Sequence, residues 1–112
     1  MVKNDYIPEK GDLVWLDFDP QAGHEQKGKR PAIVVSQKQY NRKIGLALFC
    51  PITSRIKGYP FEIVLSGRAV NGCILSDQVK SLDWRQRNCT FIGKASKREI
   101  DAVVANIKLM IE

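Results

Sequence analysis

Ser96-Lys97-Arg98-Glu99-Ile100-Asp101-Ala102-Val103-Val104-Ala105-Asn106-Ile107-Lys108-Leu109-Met110-Ile111 is the stretch whose reading decides the fold. Ser96 followed three residues later by Glu99 is a capping box, in which each side chain accepts from the other's backbone N–H. Ile100, Val103, Val104, Ile107, Met110 and Ile111 then recur on one helical stripe. The spacing predicts an amphipathic helix from about Lys97 to Ile111, and its apolar side has to cover something.

Working backward from that helix, the chain offers short strands. Thr90–Ala95 is a further short strand. Cys73–Leu75 follows the hairpin dipeptide Asn71-Gly72, and Phe61–Leu65 ends at Ser66-Gly67. Ile44–Cys50 is read as a strand broken by Pro51-Ile52-Thr53-Ser54. Gln37–Lys43 is polar, a short helical turn or loop. Pro31–Ser36 is β-branched and continuous, as in a central strand buried on both faces. Asp12–Phe18 alternates, with Leu13, Trp15 and Asp17 on one side and Val14, Leu16 and Phe18 on the other. Arg55–Pro60 is a basic turn and Leu82–Arg87 a basic stretch around Trp84. The expectation is one mainly-β domain over residues 1–112: five to seven short strands in a strongly bent antiparallel sheet or partly open barrel, closed by the C-terminal helix.

Asp17–Pro31 has no apolar periodicity and is long for a strand–strand connection. It holds the only His of the chain, His24, beside Glu25, and ends in Arg30 at the edge of the next strand. The 112 residues carry a net charge of +6, unevenly spread. Residues 26–61 contain no acid and eight bases: Lys27, Lys29, Arg30, Lys38, Arg42, Lys43, Arg55 and Lys57. Such a segment reads as a surface for a polyanion, the ordinary alternative being a solvated basic face. The three cysteines, Cys50, Cys73 and Cys89, are widely spaced and form no Cys-x-x-Cys, so small buried hydrophobes are expected rather than a metal site or a disulfide. No apolar run is long enough for a membrane span, and residues 1–10 do not resemble a secretory signal, so the cytoplasm is the expected location.

Cutting RNA without a metal needs a base for a 2′-hydroxyl, a cation for the charge growing on phosphorus, and an acid for the leaving oxygen. Glu25 and His24 are candidates for the base, and Arg30, with its planar fork, for the clamp. A surface ion pair between Glu25 and Arg30 explains the same residues. Thr53 and Ser54, at a strand end before Arg55 and Lys57, suit a phosphate oxygen or a local turn bond. Asp77 and Gln78 suit base edges, acid–base work or a turn cap. Tyr59, Phe61 and Trp84 stand beside bases, as stacking platforms or as core. No phosphate-cradling Gly-rich loop is present.

These residues resemble those of the MazF/PemK/Kid family of toxins. The similarity rests on Gly11-Asp12-Leu13-Val14-Trp15 with Asp17-Phe18-Asp19-Pro20, Gly23-His24-Glu25-Gln26 with Gly28, and Arg30-Pro31-Ala32. It extends through Pro51-Ile52-Thr53, Lys57-Gly58-Tyr59-Pro60-Phe61-Glu62, Leu65-Ser66-Gly67, Asp77-Gln78-Val79-Lys80-Ser81 and Trp84-Arg85. The resemblance implies an SH3-like barrel with a C-terminal helix, acting as a homodimer. It implies a sequence-specific endoribonuclease that needs neither metal nor cofactor and cuts single-stranded RNA, mRNA above all, to 2′,3′-cyclic phosphate and 5′-hydroxyl ends. It also implies an acidic antitoxin partner. Arg30 and Thr53 match the family's catalytic pair and Glu25 its loop carboxylate, with His24 and Asp77 matching acid–base residues of some relatives. Lys27, Lys29, Ser54, Arg55, Lys57, Gln78, Lys80 and Arg85 are the expected RNA contacts. A gyrase poison of the same fold and an RNA-binding module without cleavage are the alternatives.

Overall fold

The computed structural model describes residues 5–18, 29–67 and 69–112. Its strands are β1 Asp12–Leu16, β2 Arg30–Val34, β3 Ala47–Thr53, β4 Glu62–Val64, β5 Cys73–Leu75, β6 Lys80–Leu82 and β7 Thr90–Lys94. Its helices are α1 Lys38–Ile44 and α2 Lys97–Ile111. Every pairing is antiparallel. The sheet runs β4-β5-β3-β2-β1-β7, with β6 also paired to β3. Among the described strands nothing joins β4 to β7, so the sheet is bent and open, as the strand pattern predicts. The register shift between Leu13 and Val14 along β7 is a bulge that sharpens the bend.

The three central strands bury both faces. Leu13, Ile33, Cys50 and Ile52 join Ile74, Ile100 and Val103 in one core beneath α2. Val14, Leu16, Ala32, Val34, Ala47 and Phe49 face the other way, onto Trp84 and Cys89. This explains the continuous apolar run of β2, whose neighbours alternate between two cores rather than between core and water. Helix α2 occupies the expected residues, with both halves of its capping box formed. Its first turns lie on the core through Ile100 and Val103, with Val104 and Ile107 packed beside them, whereas Leu109, Met110 and Ile111 are exposed.

Three local expectations need correction. Ile44 is the last residue of α1, not the first of a strand: Gly45 adopts a left-handed conformation (φ 83°) and its N–H bonds back to the Asn41 carbonyl, closing the helix. Pro51 does not break β3. On one edge it pairs with Ala32, and on the other it lies where the partner changes from β6 to β5, so its missing N–H leaves no gap in a ladder. Lys80–Leu82, whose last residue is the expected start of the basic stretch Leu82–Arg87, forms a strand, β6, on that edge.

Asn41 anchors α1 from inside. Fully buried, its side-chain amide donates to the Pro8 carbonyl (2.8 Å) and the Ser36 carbonyl (3.0 Å), while its backbone carbonyl accepts from the Trp84 indole (3.1 Å). The indole is 7 % exposed, so Trp84 is core rather than a platform for bases. All three cysteines are buried and none is in a disulfide, and burial pushes the Cys50 and Cys89 thiols up to about 12. Among the described residues no helix is long and apolar enough to cross a membrane.

Candidate active site

The β2–β3 register pairs Ala32 with Pro51 and Ile33 with Cys50. Continued two residues toward the start of β2, it sets Arg30 opposite Thr53. Side chains opposite one another on antiparallel strands share a face. Both residues line one open cleft of about 360 Å³ with Pro31, Ile52, Ser54 and Asn71. Arg30 is exposed and Thr53 half-buried. The Thr53 hydroxyl accepts from the Arg55 N–H at 3.1 Å, a local turn that fixes its position and leaves its proton free to donate. A guanidinium fork and a hydroxyl across one cleft form a seat for a phosphate.

Gly72 supports that seat from behind. Its φ is +121°, and a Cβ there would stand 2.2 Å from the Thr53 carbonyl oxygen and 3.2 Å from the Ser54 Cα. Gly72→Ala therefore meets both backbone strain and a backbone clash. It is expected to cost about 2–4 kcal/mol and to push Thr53 out of place. Urea unfolding with an unchanged m-value and a lower midpoint, beside a near-neutral Asn71→Ala control, is the expected result. A wild-type midpoint would contradict this packing.

Thr53 also lines a second cavity, of about 300 Å³, with Arg55, Lys57, Tyr59, Asp77 and Gln78. The basic turn on its rim is held by one carboxylate. Glu62 accepts from the backbone N–H groups of Lys57 (3.1 Å), Gly58 (2.9 Å) and Tyr59 (3.2 Å). The Lys57 N–H bond is the chief reason that the Glu62 carboxyl lies below its ordinary pKa. Sequence reading assigned Glu62 no role; the only signal was a carboxylate shortly after a Lys57-Gly58 turn whose N–H groups needed an acceptor. The Tyr59 hydroxyl donates to Asp77 Oδ2 at 2.7 Å. That bond is the main cause of the raised Tyr59 pKa.

The other expected residues scatter. Lys29 and Ser54 are exposed beside the first cleft, and Lys57 and Gln78 beside the second. Lys80 lies on β6 with its ammonium 5.8 Å from the Phe18 ring centre. Arg85 stacks on Trp84 at 4.9 Å and donates to the Arg42 carbonyl at 3.1 Å. Together with Tyr6 and Cys89, Arg85 and Trp84 line a larger cavity of about 530 Å³ that shares no residue with the Arg30–Thr53 cleft. The one arginine of that larger cavity is already stacked and bonded to backbone. His24, Glu25 and Lys27 fall outside the described residues. Among the described residues no group of three His, Cys, Asp or Glu side chains is arranged to hold a metal.

Comparison with known proteins follows the same outline. The family profile of the PemK-like, MazF-like toxins of type II toxin–antitoxin systems matches residues 9–111. The endoribonuclease toxin MazF of Escherichia coli K12 is 49 % identical over 106 residues, covering 95 % of this chain and 96 % of its own. The endoribonuclease toxin ChpB of the same strain is 33 % identical over 110 residues, covering 93 % and 94 %. Among solved structures, MazF from Deinococcus radiodurans superposes with a TM-score of 0.86 at 46 % identity, covering 96 % of this chain and 98 % of that one. A MazE–MazF complex from the same organism gives 0.85 at 40 % identity, covering 96 % and 97 %. With the family profile matching residues 9–111 and a relative 49 % identical over nearly its whole length, the chain belongs to the PemK-like, MazF-like toxin family of type II toxin–antitoxin systems.

Proposed function

We propose that this chain is a toxin endoribonuclease that cuts single-stranded RNA, mRNA above all, at defined sequences without a metal. The observation that carries the reading is that Arg30 of β2 and Thr53 of β3 line one exposed cleft. A phosphodiester seated there has a charge clamp on one side and a hydroxyl donor on the other. Glu25 or His24 takes the proton of the 2′-hydroxyl, and that oxygen attacks the adjacent phosphorus. The P–O5′ bond breaks as the new P–O2′ bond forms, and the 5′-oxygen leaves with a proton that Arg30 delivers through a relay. The products carry a 2′,3′-cyclic phosphate and a 5′-hydroxyl. Arg30 faces the charge that grows on the phosphoryl oxygens, where a fixed cation acts most strongly.

Partners follow from the same surface. The basic residues of 26–61 that track RNA also suit an acidic antitoxin, and the solved relatives include MazE–MazF complexes. The exposed apolar last turn of α2, Leu109–Ile111, is surface of the kind a homodimer covers.

The test is a long RNA of defined sequence incubated with purified protein in EDTA, its new 5′ ends mapped by ligation with and without kinase treatment. Expected are discrete cuts whose 5′ ends ligate only after phosphorylation. Absence of cuts, or ends that already carry phosphate, would overturn the reading.

A further inference from the structure

Strand β4 ends the sheet on one side and is held there by a short ladder. Among the described residues it pairs only with β5, through Glu62–Leu75, Ile63–Ile74 and Val64–Cys73. Helix α2 pins both ends of that ladder. Glu99 accepts from the N–H and the hydroxyl of Ser66, shortly past β4. Two turns further along α2, the Asn106 amide donates to the Ser76 hydroxyl at 3.0 Å, just past β5. Ser76 is fully buried and gives its own hydroxyl proton to the Phe61 carbonyl at 2.6 Å. The same carbonyl accepts from the Ser76 N–H at 3.1 Å. A serine hydroxyl has one proton. With Asn106 donating to its oxygen, that proton is kept for Phe61.

Phe61 follows the basic turn, and Ser76 leads into Asp77 and Gln78. These two turns line the second cavity, which shares Thr53 with the Arg30 cleft. Each turn is tied to itself: the first through Glu62, the second through the Gln78 N–H on the Leu75 carbonyl at 3.1 Å. The Tyr59–Asp77 bond and the Ser76–Phe61 contact tie one turn to the other, and the Ser76–Phe61 contact is the one that α2 reaches. From this we infer that Asn106 and Ser76 are positioning residues for the RNA site, through which α2 sets the spacing of the two turns beside the phosphate cleft. The inference rests on the proposed RNA cleavage and brings the C-terminal helix into it. The two polar anchors of α2 then differ in role. Glu99 secures the end of β4 away from the cavity, and Asn106 the end at the cavity.

The test changes the direction of one hydrogen bond. Asn106→Asp keeps the size of the side chain and replaces the donor with a carboxylate, which accepts only. The Ser76 proton then turns to the carboxylate, in a charge-assisted bond stronger than the neutral one it leaves, and the Phe61 hydroxyl contact is lost. Asn106→Ala removes the partner without drawing the proton away. Oligonucleotides tiled along the RNA are measured in cleavable form and as 2′-O-methyl versions, whose attacking oxygen is blocked. Asn106→Asp is expected to raise KM for cutting, and Kd for the blocked form, by roughly 10–100-fold, the scale of a small misplacement transmitted from outside the reacting groups. The saturating single-turnover rate should stay within about threefold of wild type, as when binding alone is lost. Asn106→Ala should lose less than Asn106→Asp. In a Ser76→Ala background, with no hydroxyl proton to redirect, the two Asn106 variants should agree within about threefold.

Unchanged KM and Kd in Asn106→Asp would overturn the inference and leave the nuclease standing. So would a lower saturating rate at an unchanged KM, which marks a loss of folded protein. A gap between Asn106→Asp and Asn106→Ala that persists without the Ser76 hydroxyl would also overturn it, because the added charge would then be repelling RNA directly. A binding effect of Asn106→Asp that Ser76→Ala cancels, with no cutting by any variant, would support the brace and overturn the nuclease. No binding of any oligonucleotide would overturn both.

Discussion

Arg30→Ala is expected to cut RNA roughly 10²–10³-fold more slowly than wild type, the usual effect of removing one group aimed at transition-state charge. The fold should survive, because Arg30 is exposed at the first residue of β2 and, among the described residues, its side chain has no hydrogen-bond or ion-pair partner. Surface substitutions of that kind generally stay within about ±0.5 kcal/mol. Arg30→Lys should recover part of the loss: it keeps the charge but not the fork that bonds two phosphoryl oxygens together. Thr53→Val answers a different question, since the Thr53 hydroxyl also accepts from the Arg55 N–H and its removal loosens the basic turn. Single-turnover rates with enzyme in excess separate the two variants, because Arg30 acts on the chemical step. An Arg30→Ala protein that melts normally and cuts at the wild-type rate would remove Arg30 from the mechanism.

What could be read beforehand divides by the range of the interaction that decides it. Helix α2 was legible to the residue because its capping box and its stripe are local, and local geometry alone satisfies them. The strand character of β1 and β2 was legible from side-chain pattern. Ile44 and Pro51 were misread because tertiary partners decide them: Ile44 completes a helix that Asn41 pins from below, and Pro51 is tolerated only because two different strands share one edge of β3. In the site, Arg30 and Thr53 were separately visible, but their facing each other depends on a register that neither stretch encodes alone. Gly72 was read as a turn residue, whereas the stronger constraint on it is the Thr53 carbonyl. The roles of Glu62 and of the Tyr59–Asp77 bond appear only once the 55–60 turn lies over β5 and the residues after it.

Glu99→Ala is expected to lower stability by about 2–4 kcal/mol, from a lost helix cap and lost hydrogen bonds to a buried charge. The side chain is 2 % exposed. One oxygen accepts from the Ser96 N–H at 2.8 Å and so completes the capping box. The other accepts from the Ser66 N–H at 2.8 Å and the Ser66 hydroxyl at 3.0 Å, which ties the end of the β4 region to the start of α2. Truncation to Ala leaves all three donors to find water in a closed place, so the cost exceeds that of an exposed cap. In this size range it corresponds to a melting temperature lower by roughly 10–20 °C. The ionisation state can be tested separately. Burial alone would raise the Glu99 carboxyl above 4.5, but the bonds from Ser96 and Ser66 outweigh it and hold the group below that value. A carboxylate with a depressed folded pKa stabilises fully above its unfolded pKa and loses that contribution as the pH falls through the folded one. The stability gap between wild type and Glu99→Gln should therefore be widest at neutral pH and narrow as the pH drops below about 4.5. An amide at this place still offers one acceptor oxygen but turns an N–H₂ toward a donor, so Glu99→Gln should lose less than Glu99→Ala and still not match wild type. A gap that stayed constant from pH 7 down to pH 3 would mean that shape, not the carboxylate charge, holds the helix start to the sheet.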